Sequence, residues 1–452
     1  AVGDGEAGSL DIQAWDDVIV RGGALADDVA ARVNRIAPGE LACFIYTSGT
    51  GGRPKGVMLS HGAIACNVSS ATDLLTEVGL GGPGEDVFLS FLPLSHSYEH
   101  TCGLHLPISL GAQIYYAEGI ETLSANMAEA RPTIMTCVPR LYEIMRARIL
   151  AGVTRAGGAK KFLFEAALRL GRKRHEGGRL SVMENLLDRL VERLVRDKVR
   201  GRFGGRMKAL VSGGAPLNYD VGMFFLALGL PVYQGYGQTE AAPLISCNRK
   251  SNNNIASVGP ALAGVEARIA ADGEICVRGG MLMEGYWNDA EATASALGDG
   301  WLHTGDIGHI DQAGCIHITD RKKDIIVNSG GDNIAPARIE GVLTLEPEIA
   351  QALVYGDRRA HLVALIVPAE DFIKSRAKGL SLADLAGDAD FHGALGEAVR
   401  RASDSLSSIE KVKRFAIATE PFTIDNGEMT PTLKTRRHAI ISRYRDTLDG
   451  LY

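Results

Sequence analysis

The chain has 452 residues, 46% of them hydrophobic and 23% charged, and a prior of roughly 150 residues per domain suggests about three domain-sized units. Lys+Arg 48 against Asp+Glu 54 leaves a net charge of -6, which disfavours general nucleic-acid binding, so any anion must be held by a local site. The longest apolar runs (222–232, 362–368) are too short to span a bilayer, the seven cysteines form no CxxC pair, and the acidic start lacks a signal-peptide pattern; a membrane span, a zinc knuckle and a disulfide framework are disfavoured, and a reducing cytoplasm is the expected compartment.

Strand-like runs at 41–46, 86–92, 112–116, 133–137 and 208–212 alternate with helical patterns, which predicts an α/β fold with a largely parallel sheet. The first of these runs directly into Thr47, Ser48, Gly49, Thr50, Gly51, Gly52 and, two residues on, Lys55. Hydroxyls, exposed backbone N–H groups and one ammonium suit a polyphosphate. A Walker A loop is excluded, because Lys55 has Pro54 before it and Gly56 after it.

Further on, His96 and His100 stand four apart in 91–100, but no third ligand spacing accompanies them, so a zinc pair is disfavoured. Between Lys160 and Lys208 basic residues outnumber acidic ones 15 to 6. Leu186, Leu187, Leu190, Leu194 and Val195 recur there at helical spacing, so an amphipathic basic helix is predicted, either packed with a solvated basic face or attracted to anionic lipid. Small residues cluster again at Gly213, Gly214, Ala215 and Pro216 and at Gly235, Tyr236 and Gly237, followed by Thr239 and Glu240. Backbone is brought close to something there, and a carboxylate beside phosphates suits Mg2+. From about Gly264 the pattern changes to shorter β runs punctuated by Gly and Asp.

The run YTSGTGGRPKGVMLSH at 46–61 resembles the phosphate loop of the adenylate-forming enzymes, the superfamily of acyl-CoA synthetases, luciferases and peptide-synthetase adenylation domains. Segment 299–323, DGWLHTGDIGHIDQAGCIHITDRKK, resembles the signature of fatty acyl-CoA synthetases, with Ile310 and Gln312 where Trp and Pro are usual, and the long segment 160–216 resembles the long-chain members. Gly51 stands where a second Thr is common, and Arg338 where Glu is.

The resemblance implies a large N-terminal domain (1–319) of stacked α/β subdomains with a β-barrel-like part, and a small α+β C-terminal domain (320–452) joined by a hinge at Asp320. It implies that Thr47 to Gly52, Lys55 and Thr239 meet phosphate and that Gly214, Ala215, Pro216, Gly235, Tyr236 and Gly237 enclose adenine. By the same resemblance Asp306, Ile318 and Arg321 meet the ribose and Glu240 holds Mg2+. His96 would lie at the carboxylate, Ser329, Gly330 and Gly331 at CoA, and Lys434, in 427–434, would be the adenylation lysine. The catalytic set is therefore Lys434, Glu240, Thr239, Lys55 and His96.

The implied activity is ATP-dependent conversion of a long-chain fatty acid through an acyl-adenylate to acyl-CoA, with ATP, Mg2+ and CoA required. A fatty acyl-AMP ligase and a catalytically incomplete nucleotide-binding fragment or pseudoenzyme are the alternatives. Fatty acid, ATP and CoA are the expected partners, no nucleic acid is, and peripheral contact with an anionic membrane and a homodimer stay open. The family's usual N-terminal portion does not match the residues before the phosphate loop. The chain is therefore expected to be part of a longer one, with little adenylation alone.

Overall fold

The computed structural model describes residues 13–25, 27–47, 54–82, 84–376, 382–385 and 387–452. Its largest sheet runs, in spatial order, Gln113–Tyr116, Val87–Ser90, Ile134–Cys137, Ala209–Ser212, Val232–Gly237 and Leu244–Cys247. All neighbours are parallel except the last pair. Val87–Ser90 and Ile134–Cys137 are buried along their whole length, as parallel strands must be when helices cover both faces. On one face the helix His61–Glu77 brings Ala71, Leu74 and Leu75 against Phe88, Ile134 and Ala209. Ser60 caps that helix by accepting from the Ala63 N–H at 3.2 Å. On the other face Tyr142, Phe164 and Phe225, from three helices, pack with Leu89, Met135 and Leu210.

The predicted strand at 41–46 forms, as Leu41–Thr47, but it does not join the parallel sheet. It pairs antiparallel with Lys55–Ser60, which in turn pairs with Gly285–Tyr286. The connection after Thr47 is too short for the crossover that a parallel partner needs, so the chain turns straight back. The change of pattern near Gly264 corresponds to a second, antiparallel sheet containing Val265–Ile269, Glu274–Gly279, Leu297–Gly298, Trp301–Ile310 and Ile316–Arg321. Asp320 lies in the last of these strands, opposite Ile307. Beyond it, Ile349–Tyr355, Leu362–Pro368 and Val412–Ile417 form a separate three-stranded sheet. The helices Pro336–Leu343 and Ala389–Ser403 share an apolar core of their own with it, around Ile339, Leu343, Leu395 and Ile366.

The basic segment forms two helices rather than one. Gly158–His175 is followed by Val182–Val191, which continues through a wider turn at Glu192–Arg196 into Asp197–Arg202. A capping box starts the second: the Glu184 N–H donates to Ser181 Oγ, and Glu184 accepts from the Ser181 N–H. The predicted apolar stripe divides. Val191 and Val195 face inward, whereas Leu186, Leu190 and Leu194 are exposed.

Arg196 is buried and bonds Asp188 at 2.8 Å, while donating to the carbonyls of Ala227 and Ala167. It thus ties the hairpin to the helix Tyr219–Ala227. Arg196 also meets the more exposed Glu192 at 3.1 Å, but Asp188 is its buried carboxylate partner, so Asp188→Ala is expected to cost about 3 kcal/mol, measurable by urea unfolding. Among the described residues no helix is long and apolar enough to cross a membrane.

Candidate active site

In a parallel sheet the loops that leave the carboxyl ends of the strands converge, and ligands bind in the crevice there. Three such loops carry the residues singled out in the sequence: His96 to Glu99 after Val87–Ser90, Gly213 to Pro216 after Ala209–Ser212, and Gln238 to Glu240 after Val232–Gly237. Gly214 has φ +86°, a left-handed conformation that favours glycine. At Gly237 an added Cβ would sit 2.0 Å from the Pro243 carbonyl oxygen, so strand-to-strand packing already demands glycine there. Ala215 and Pro216 are exposed on the turn into the helix Tyr219–Ala227.

Asp306 arrives from the antiparallel sheet, opposite Arg321 in register, and is buried. Its Oδ2 accepts from the Tyr236 hydroxyl at 2.6 Å and its Oδ1 meets Arg321 Nε at 3.0 Å. Ile318 packs in the same apolar cluster as Tyr236. Each carboxylate oxygen has a second lone-pair direction, so the pair of oxygens retains capacity for two further donors.

Thr239 Oγ1 is 3.0 Å from Ser97 Oγ, and Glu240 Oε1 accepts from the Tyr286 hydroxyl at 2.8 Å. Lys55 Nζ sits 4.7 Å from the centre of the Tyr286 ring. Tyr286 therefore touches both, the ammonium at its ring and the carboxylate at its hydroxyl. Neither Ser97 nor Tyr286 was singled out by sequence. Ser97 falls inside the His96 motif, whereas Tyr286 has no local signal, because its partners Glu240 and Lys55 lie far away in the chain.

His96 Nδ1 accepts from the Tyr98 N–H at 3.2 Å, and burial, reinforced by the Lys434 ammonium, lowers its pKa to about 4, which leaves it neutral at pH 7. Below it the carboxyl of Glu99 is buried, with Ser90 Oγ donating at 2.5 Å and Thr136 Oγ1 at 2.7 Å. Burial pushes its pKa up to about 7 against those two bonds. Glu99 joins two strands to the His96 segment, a role the sequence did not disclose.

Lys434 closes a turn in which its N–H donates to Thr430 Oγ1 at 3.0 Å. Its Cε lies 3.4 Å from the position a Cβ on Gly214 would take, so the C-terminal part of the chain reaches into the crevice. Burial, then the nearby Arg321, lowers its pKa to about 8, while Asp306 and Glu240 pull the other way. Lys434, His96, Gly214, Glu240, Asp306 and Arg321 are thus gathered in one place.

Not every expected residue joins them. Ser48, Gly49, Thr50, Gly51 and Gly52 lie outside the described residues. Thr47 ends its strand at the start of that loop. Ser329, Gly330 and Gly331 are exposed on a tight turn, held by the Arg359 carbonyl and by Asn328. Burial raises the Asp320 pKa to about 6, and Oδ1 accepts from the Arg321 N–H at 2.7 Å.

Among the described residues no group of three or more His, Cys, Asp or Glu side chains could hold a metal unaided. A lone carboxylate such as Glu240, with one oxygen left open by Tyr286, fits Mg2+ that shares its coordination with phosphate oxygens and water. Behind Tyr98, between the helix His61–Glu77 and the sheet, runs an apolar cavity lined by Ala71, Leu74, Cys102, Ile134 and Tyr233. Tyr98 separates this cavity from the crevice, its ring lying 3.0 Å from where a Cβ on Gly213 would be.

Residues 6–287 match the AMP-binding enzyme family, and residues 323–452 match the AMP-binding enzyme C-terminal domain. The chain belongs to the AMP-binding enzyme family. This AMP-binding enzyme is 34% identical over 448 residues to the long-chain-fatty-acid–CoA ligase FadD15 of Mycobacterium bovis, covering 96% of the chain and 74% of that relative. It is also 34% identical to long-chain-fatty-acid–CoA ligase 6 of Homo sapiens, covering 92% of the chain and 61% of that protein. Its fold matches the adenylation domain of a carboxylate reductase from Mycobacterium chelonae with a TM-score of 0.74 at 23% identity, over 97% of the chain and 63% of that domain.

Proposed function

We propose that the protein activates a long-chain fatty acid with ATP, through an acyl-adenylate, to acyl-CoA, releasing pyrophosphate and AMP. The observation that carries this reading is the convergence of Lys434, His96, Glu240, Asp306 and Arg321 beside an apolar cavity. Its relatives named as long-chain-fatty-acid–CoA ligases support the substrate class.

A fatty carboxylate is ionised at pH 7, so its attack on the α-phosphate needs no general base. It needs two anions held together. Lys55 and Lys434 supply positive charge from opposite ends of the chain, and neutral His96, whose Nδ1 accepts from the Tyr98 N–H, donates from Nε2–H to the carboxylate without adding charge. Asp306 and Arg321 hold the ribose, and Thr239, steadied by Ser97, hydrogen-bonds phosphate. Glu240 would hold Mg2+, which neutralises phosphate charge when bound. In the second step a thiol of pKa near ~8.5 gives its proton to water, the thiolate attacks the acyl carbon, and the acyl carbon–oxygen bond breaks as AMP leaves with its electron pair, so access matters most. Lys434 fills the crevice in the orientation suited to the first step. Rotation at Asp320 would withdraw it and bring Ser329, Gly330 and Gly331 to the thiol.

The test is pyrophosphate release from ATP across fatty acids of increasing length, with thioester formation read after adding CoA. Chain-length-dependent release and a CoA-dependent thioester support the reading. Release without a thioester would make the protein an acyl-AMP ligase. ATP binding without release would leave it a nucleotide-binding scaffold.

The cavity behind Tyr98 is the proposed acyl site. Ala71→Phe adds a ring to its wall and is expected to lower kcat/KM for the longest substrates by about tenfold, with little change for short ones. A panel of pyrophosphate-release rates checks it.

A further inference from the structure

The helix built from Val182–Val191, Glu192–Arg196 and Asp197–Arg202 has an outer face that the proposed chemistry does not use. Val182 is 86% exposed, Met183 75%, Leu186 64%, Leu190 48% and Leu194 41%. Val182, Leu186, Leu190 and Leu194 are spaced four apart, so they form one ridge along the helix, while Val191 and Val195 occupy the inward face. A helix needs only one apolar face to pack on its own domain. The second awaits an apolar surface outside it.

Charge on the hairpin is sorted between the two faces. Its acids are tied up: Glu184 pairs with Lys173 and Arg169, Asp188 with Arg196 and Arg174, and Glu192 and Asp197 with Arg200. Arg189, Arg193, Lys198 and Arg202 are exposed and have no ion pair or side-chain hydrogen bond among the described residues. The outer face therefore combines exposed apolar side chains with unpaired cations, and the neighbouring carboxylates are neutralised.

We propose that this helix is a peripheral docking surface for a bilayer rich in anionic lipid, lying in the interface with its Val182 to Leu194 ridge among the upper acyl chains and its free cations at the headgroups. The charge pattern selects this occupant, because long basic side chains can hold their stems along the acyl boundary while their heads stay at phosphate level. A neutral apolar partner would leave these cations unmatched.

The test is co-sedimentation of the full chain with vesicles of phosphatidylcholine alone and with about one third phosphatidylglycerol. Binding to the anionic vesicles is expected, with neutral vesicles or high salt weakening it by about tenfold or more. Leu186→Glu/Leu190→Glu and, separately, Arg189→Glu/Arg193→Glu should each weaken vesicle binding by about tenfold or more. Both should leave pyrophosphate release with a short, water-soluble fatty acid unchanged, which shows that the fold is intact. Because both arginines are exposed and unpaired among the described residues, that variant tests the proposal even if the leucine variant fails to fold. Equal binding by wild type and the arginine variant, or no binding to anionic vesicles, would overturn the proposal. So would a dimer in analytical ultracentrifugation that Leu186→Glu/Leu190→Glu converts to monomer, since the ridge would then cover a second copy.

Discussion

Lys434→Ala is expected to depress acyl-adenylate formation by roughly 10²–10³-fold while leaving conversion of supplied acyl-AMP to acyl-CoA near wild type. The reason is geometric: the lysine lies in the crevice beside Gly214 only because the C-terminal part of the chain is turned toward it. In the proposed mechanism it meets charge that develops in the first step and has no task in the second. A pH signature accompanies this. With its pKa lowered to about 8, chiefly by burial, Lys434 is charged below that pH and loses its charge as pH rises through it. The kcat/KM for adenylation reports the free enzyme, so it should fall about tenfold per pH unit above this point. Lys434→Arg, which stays protonated, should abolish the fall in whatever activity it retains. Single-turnover assays of the two half-reactions across pH check both statements, and equal loss in both half-reactions would refute the assignment.

Asp306→Ala is expected to weaken ATP binding by roughly 30–150-fold, the loss of about 2–3 kcal/mol of hydrogen bonding to a charged acceptor. Tyr236 and Arg321 would lose their common partner at the same time, so the proposed adenine and ribose walls should loosen together. Glu240→Gln should behave differently. Its expected effect is on turnover and on the magnesium requirement, because its carboxylate meets charge rather than hydroxyl groups. Calorimetric titration with ATP, at several magnesium concentrations, separates the two variants.

Short-range patterns in the sequence carried much of this site. The turns at Ser212 to Pro216 and Gln238 to Glu240 follow strands directly, the first containing Gly213 and Gly214 and the second preceded by Gly237, so their place at the sheet's carboxyl ends could be expected from order alone. Lys434 was legible only through a resemblance, since nothing local distinguishes it from a surface lysine. Tyr286, Ser97 and Glu99 were not assigned, because what matters about them is a partner elsewhere: Glu240, Thr239, and the Ser90 and Thr136 pair. A hydroxyl does not announce which distant carboxylate it will meet. The apolar run at 41–46 predicts a strand, which forms as Leu41–Thr47, but outside the parallel sheet, because apolar runs fix local extension and not which neighbour supplies the ladder. Helical spacing likewise found the helix beginning at Val182. It could not say that Leu186, Leu190 and Leu194 face outward, since Val191 and Val195 offer an equally apolar face to the core.

In the proposed reaction a fatty carboxylate attacks the α-phosphate of ATP in this crevice. Supplying palmitate labelled with 18O in both carboxyl oxygens, with ATP and CoA, tests it most directly, by mass spectrometry of the AMP formed. Attack by the carboxylate makes one of its oxygens the bridge of the acyl-adenylate, and the thiol then breaks the acyl carbon–oxygen bond, so AMP should carry one 18O. AMP free of label would contradict the account, because it would place a different nucleophile on phosphorus.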